Sequence, residues 1–320
     1  MTRWFVEKAF YAATLIGFKL GSLAVRILPR RGLFGFCDAL ASLAFLLFRG
    51  YRTKSIRNLN VAFAGRAGAA NARAIARRSL RNFFRACVEM IIALESSDNE
   101  RRAAIPVDGR EHLDTALAKG KGVIVLSAHL GNFFLVGTRL AVEGHPIHVL
   151  INQGGEGQFS KLLDDYRLQI KLCTIHARPR RQALQELNAV LRRNEIAVMI
   201  TDEYRRGNGI PTTFFGRTVL ARRGPATLAS RTGAAVVPAC LVRQADDTLR
   251  LVIEPELELA RSGKGKAEIA ENILRMTRWL EKTVRAYPDQ WNWMNIRWSA
   301  DIERQRLEFR GQSSEVRDQR

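Results

Sequence analysis

Short β-branched runs recur beyond residue 120, each separated from the next by a longer segment. The runs are 123–126 (Val-Ile-Val-Leu), 147–151, 196–200, 235–241 and 249–253. Runs this short and this uniformly apolar suit strands buried on both faces. Between them, 159–170, 181–193 and 222–231 read as helices; 181–193 places Ala183, Leu184, Leu187, Val190 and Leu191 on one face. A helix over 111–118 precedes the first run, and one over 267–286 follows the last and ends before Pro288. Parallel strands need such crossovers. The expected fold is therefore α/β, a largely parallel central sheet flanked by helices. In that class, ligands sit at the carboxyl ends of the strands.

The first hundred residues are different. They read mainly as helix, and 70–94 is rich in Ala, Arg and Leu at helical spacing. The stretch 10–28 is apolar except for Lys19 and Arg26, and 33–48 carries only Asp38 as a charge. Neither reaches the ~20 clean apolar residues of a confident span. Residues 1–60 hold ten Lys and Arg against Glu7 and Asp38, with Trp4, Phe5 and Tyr11 at the head. An apolar helix rimmed by cations and aromatics suits an anionic bilayer surface. The plainer alternative is a buried helical hairpin with solvated ends. Residues 1–50 are expected to form a membrane-anchoring helical segment, 51–300 the α/β domain and 301–320 a polar, disordered tail.

The chain carries 51 Lys and Arg against 31 Asp and Glu, a formal charge of +20. Such a surface attracts polyanions. The cations are spread through an α/β chain with no recognisable nucleic-acid motif, which excludes that class. Cys37, Cys87, Cys173 and Cys240 form no CxxC pair. A disulfide framework or thiolate zinc site is not expected, and a reducing compartment fits.

Two strands run into groups with chemistry. The 123–126 run leads to Ser127-Ala128-His129-Leu130-Gly131-Asn132-Phe133, and the 196–200 run to Thr201-Asp202-Glu203-Tyr204-Arg205-Arg206. A neutral imidazole at a strand's carboxyl end is suited to general-base work. In a parallel sheet Asp202 would be its neighbour. Alone, each has a bland reading: a satisfied histidine, and an acid capping a turn or pairing with Arg205 or Arg206. His112, His145, His148 and His176 show no metal-ligand spacing.

The string His129-Leu130-Gly131-Asn132-Phe133 resembles the HLGNW(E) block of bacterial lipid A biosynthesis acyltransferases, of the lauroyl/myristoyl type and the wider HxxxxD/E glycerolipid acyltransferase superfamily. Further blocks match in order: Arg57-Asn58-Leu59 with Phe63, Asp202 with Phe214-Phe215-Gly216, Gly224-Pro225-Ala226, 233–238, and Tyr287-Pro288-Asp289-Gln290-Trp291-Asn292-Trp293 with Arg297-Trp298. They span about residues 50–298. The family acid five residues after the histidine falls on Phe134. Asp202 is the best substitute, and a catalytically inactive relative serving as a membrane partner is the alternative.

The resemblance implies O-acyl transfer from an acyl thioester to a lipid hydroxyl, with acyl carrier protein favoured over coenzyme A as donor and no metal or cofactor. His129 would be the base and Asp202 its partner. Gly131, Asn132, Arg205, Arg217 and Arg222 would contact substrate, the cations or the backbone near Gly131 meeting the developing oxyanion. The acceptor would be a lipid A-type glycolipid at the cytoplasmic face of the inner membrane. The loop Ile151-Asn152-Gln153-Gly154-Gly155 lacks the family's usual Arg-Pro, so another lipid acceptor stays open.

Overall fold

The computed structural model describes residues 2–65, 68–152, 158–202, 204, 209–263 and 265–298. Five helices come first: α1 (Thr2–Ile27), α2 (Arg30–Leu47), α3 (Arg49–Ala62), α4 (Ala69–Glu95) and α5 (Asp98–Ala104). Then follow β1 (Val107–Asp108), α6 (Arg110–Leu117), β2 (Val123–Ser127), α7 (Val136–Ala141), β3 (Ile147–Ile151), α8 (Gln158–Gln169), β4 (Leu172–His176), α9 (Arg180–Arg192) and β5 (Ile196–Ile200). The chain continues through β6 (Ile210–Phe214), β7 (Arg217–Ala221), α10 (Gly224–Thr232), β8 (Ala235–Arg243), β9 (Leu249–Ile253) and α11 (Lys266–Ala286).

The main sheet has the order β1-β9-β8-β2-β5-β3-β4. Pairing is parallel from β8 through β4, and β8 with β9 is antiparallel. The α/β expectation holds. All five residues of β2 are buried, because helices cover both faces of the sheet. The pleat sends Ile124 and Leu126 into one core with Leu187, Ile273 and Trp291. Val123 and Val125 enter the other, with Leu113 and Leu140.

The structure departs from the sequence reading in particular places. β4 sits at the sheet edge with an uneven burial pattern, so it lacks the continuous apolar run of the central strands. β6 and β7 form a separate antiparallel hairpin built partly from Thr and Arg. β1 has only two residues. Leu184 is exposed, outside the buried face of α9. Helix α7 begins at Val136, so a loop separates His129 from it.

At the N-terminus, α1 and α2 are packed on α4 and are not a detached tether. A Cβ at Gly21 would stand 2.5 Å from Cδ1 of Ile91, which measures how closely α1 approaches α4. Leu33, Phe34, Cys37, Ala41, Ala44 and Phe45 of α2 are buried. The opposite faces leave Leu20, Leu23 and Ile27 of α1, and Phe36, Leu43 and Leu47 of α2, exposed. Among the described residues no single helix is long and apolar enough to cross a membrane. The bent pair α2–α3, with an 88° break, passes by length and composition together. The side chains of Trp4 and Phe5, and all of 301–320, lie outside the described residues.

Candidate active site

β2 and β5 pair in parallel with Ser127 opposite Ile200, so the segments leaving their carboxyl ends lie side by side. That register brings His129 to Asp202. Nδ1 of His129 is 2.8 Å from Oδ1 of Asp202. The backbone N–H of His129 donates to Oδ2 at 2.9 Å. Trp291 donates its indole N–H to the same Oδ2 at 2.8 Å. Asp202 is wholly buried, whereas the His129 side chain keeps 20% exposure.

Burial alone would push the Asp202 carboxyl up. The charge the His129 ring carries when protonated and the hydrogen bonds from that ring, Trp291 and the His129 backbone outweigh that and hold it below its ordinary value. The carboxylate is therefore ionised near neutrality and requires Nδ1 to carry a proton. The acceptor role falls to Nε2. This is the orientation that a general base needs. A neighbouring thiol is no rival nucleophile, since burial pushes Cys240 up to about 12.

The loop after His129 is fixed on both sides. Gly131 has φ +59°, and a Cβ there would lie 2.0 Å from the carbonyl oxygen of Leu241. Gly131 N–H donates to Gln290 O at 2.9 Å, and Asn132 N–H to Leu241 O at 2.8 Å. Both amides are thus spent within the fold. The expectation that the backbone at Gly131 meets an oxyanion is corrected for this conformation. The Asn132 side chain is 1% exposed and donates to Oε2 of Glu89 at 2.9 Å, turned into the protein and away from a substrate.

Glu89 in turn accepts two bonds from Arg243, at 2.9 and 2.8 Å, and one from Arg30 at 3.1 Å. Arg30, Arg85 and Arg243 all stand over the Phe34 ring, and Arg85 also pairs with Asp38 and Asp247. Gln290 exchanges two hydrogen bonds with the backbone of Arg243. The sequence reading missed Glu89, Arg243 and Gln290, and gave Trp291 no role. One signal was present: Glu89 is a lone acid on the buried face of a basic helix.

Phe134 stands clear of the acid's role. Its ring contacts Phe133 at 4.1 Å and Phe83 at 6.2 Å. Glu143 is held by Arg139 at 2.5 Å and Arg110 at 2.7 Å, so it does not serve His129. Arg217 stands exposed at the closed tip of the β6–β7 hairpin, opposite Phe214. Arg222 follows the hairpin's other end, where Ala221 pairs with Ile210. The five-residue strand between them spans about 16 Å, so the two do not share one position. Arg205 and Arg206 lie outside the described residues.

Comparison with known proteins follows the same lines. The family model described as bacterial lipid A biosynthesis acyltransferase matches residues 6–300. The phosphatidylinositol mannoside acyltransferase of Mycobacterium tuberculosis is 25% identical over 216 residues, covering 65% of this chain and 66% of that protein. The Mycolicibacterium smegmatis protein of the same name is 24% identical over 61% of this chain and 63% of its own length. The lipid A biosynthesis palmitoleoyltransferase of Escherichia coli is 24% identical over 75% of this chain and 76% of its own. The matched region takes in both His129 and Asp202, and on that breadth the chain belongs to the bacterial lipid A biosynthesis acyltransferase family.

Proposed function

We propose that this protein is a membrane-associated O-acyltransferase, with His129 as general base and Asp202 as its orienting carboxylate. The observation that carries the reading is the 2.8 Å contact between His129 Nδ1 and a fully buried Asp202, in a chain of this family. In the reaction, Nε2 takes the proton of the acceptor hydroxyl as its oxygen attacks the thioester carbonyl carbon. The new C–O bond forms, the C–S bond breaks, and the imidazolium returns its proton to the departing thiolate. Asp202 stabilises the imidazolium between those steps.

With the Gly131 and Asn132 amides committed elsewhere, a cation is assigned to the oxyanion. Arg205, Arg217 and Arg222 are the candidates for that part. The +20 surface favours acyl carrier protein, an acidic donor, over coenzyme A. Both kinds of relative are named for glycolipids, so the acceptor is a hydroxyl of a glycolipid. A lipid A-type acceptor is the first reading and a mannoside the second. The exposed apolar faces of α1 and α2, rimmed by Lys19, Arg26 and Arg49, support a seat on an anionic bilayer surface, which in this reading is the cytoplasmic face of the inner membrane.

The test is transfer of a labelled acyl chain from acyl carrier protein or coenzyme A to extracted bacterial lipids, with the acylated product identified by mass. Ester formation that vanishes in His129→Ala is expected. A purified, folded protein that acylates no lipid from either donor overturns the reading and favours the inactive partner protein.

A further inference from the structure

The segment 128–135 joins β2 to α7 and carries His129. Asp202 holds one edge of the imidazole, but Nε2 is aimed only if the backbone beneath the ring is held as well. That backbone hangs by two routes from one residue, Arg243 at the end of β8. The main chain of Arg243 exchanges two hydrogen bonds with the Gln290 side chain, each 2.8 Å, and the Gln290 carbonyl receives the Gly131 N–H at 2.9 Å. The guanidinium of Arg243 donates to Glu89 of α4 at 2.9 and 2.8 Å, and Glu89 receives the side-chain amide of Asn132 at 2.9 Å. Glu89 is 4% exposed and Asn132 1%. Oδ1 of Asn132 meets no donor among the described residues. The amide is therefore held through Nδ2 alone, by Glu89 and by a longer bond of 3.5 Å to the Ala86 carbonyl.

We infer that Glu89 is a positioning residue for the transfer reaction: acting through Asn132, it fixes the loop that aims Nε2 of His129. The inference rests on the acyl-transfer reading above. Asn132 then serves the reaction from inside the protein, without meeting the substrate. A buried ion pair often adds no more stability than well-packed apolar residues of the same volume, so the Glu89–Arg243 pair is a poor device for stability alone. Its hydrogen bonds have direction, and a fully partnered buried network admits one geometry. A carboxylate suits the place because it accepts from the Asn132 amide and from Arg243 at once, while Arg243 and Arg30 offset its buried charge. An apolar side chain at 89 could fill the space and would leave the amide free to turn.

The experiment measures kcat and KM for an acyl thioester with the full-length wild type, Asn132→Ala, Asn132→Asp and the double variant Glu89→Gln with Asn132→Asp. Hydrogen exchange at the backbone amides of residues 131 and 132 is followed in parallel. Asn132→Ala keeps the Glu89–Arg243 pair and removes only the link. It is expected to lower kcat about 10²-fold, the effect of a ~1 Å misplacement, with KM nearly unchanged and both amides exchanging faster. Asn132→Asp sets two carboxylates against each other and is expected to lose at least as much. In the double variant an amide at 89 donates to a carboxylate at 132, with the charge of the cluster unchanged. About tenfold of kcat is expected to return over Asn132→Asp, a gain that misfolding does not produce. A folded Asn132→Ala with wild-type kcat overturns the inference. A rise in KM at unchanged kcat does so too, because it marks Asn132 as a substrate contact. A folded double variant no faster than Asn132→Asp also overturns it. If the wild type transfers no acyl group, the reading of the reaction falls, and exchange at 131 and 132 alone decides whether Glu89 holds the loop: unaltered exchange in Asn132→Ala shows that it does not.

Discussion

At the scale of single residues, the dyad defines two experiments. His129→Ala is expected to lower transfer by about 10²–10⁴-fold, the usual loss of a general base. Asp202→Asn removes the charge that stabilises the imidazolium and is expected to cost a large part of that. The double variant is expected to be little worse than His129→Ala, because the two act as one unit. Initial rates on matched protein check this, and a near-native Asp202→Asn rate refutes the pairing. Stability carries a second signature. Asp202 is held below its ordinary pKa in the fold, so its contribution is present above the carboxylate range and is lost as pH falls through the lowered value. Denaturation as pH falls through and below the ordinary carboxylate range is therefore expected to weaken wild type more than Asp202→Asn. Both members of the dyad were legible in the sequence, since each follows a short apolar run. The third, Trp291, was not, because no local pattern says that an indole 89 residues downstream returns to Asp202.

At the scale of elements, the loop after β2 is the sensitive part. Gly131→Ala combines a left-handed backbone with a collision against a buried carbonyl, and neither can relax cheaply. Gly120 has φ +70° but open space around its Cβ position, so alanine there costs only about 1 kcal/mol. Melting and activity of the two variants are expected to diverge, with Gly131→Ala losing both. Glu89→Gln leaves the nearly buried guanidinium of Arg243 without its charge partner, at an expected cost of about 3–5 kcal/mol in chemical denaturation. The uniform apolar runs made β3, β5 and β9 readable to the residue, while β2 and β8 run on past the predicted ends to Ser127 and Arg243. β4 and the β6–β7 hairpin escaped for the opposite reason: their polar alternation belongs to an edge and to a surface ribbon. The buried ion cluster around Phe34 joins α2, α4 and the β8–β9 turn, contacts that charge patterning along a chain does not reveal.

At the scale of the whole molecule, the apolar faces of α1 and α2 give the most direct test. Leu40, Leu43 and Leu47 replaced together by Ser are expected to shift the protein from anionic vesicles into the supernatant, with the fold intact because these side chains are exposed. Raising salt is expected to weaken both vesicle binding and use of an acidic carrier, since exposed charges are screened beyond about 8 Å at physiological strength. Unchanged partitioning of the triple variant refutes the surface assignment. The general arrangement, helices followed by a parallel sheet, was legible because the switch in periodicity near residue 120 is abrupt. How tightly the first two helices lie on α4 was not, because apolar faces alone do not say which is covered by protein.

The stitching of the His129 loop to the segment around Trp291 also has a consequence during synthesis. Leu130 bridges to Trp291, Asn292 donates to the carbonyl of His129, and Gly131 donates to that of Gln290. A ribosome that has released only the strands and the histidine has not yet released the residues that lock them. His129 is thus made long before the residues that seat its loop. A chain stalled or clipped ahead of residue 290 would carry His129 and Asp202 without the segment that clasps them.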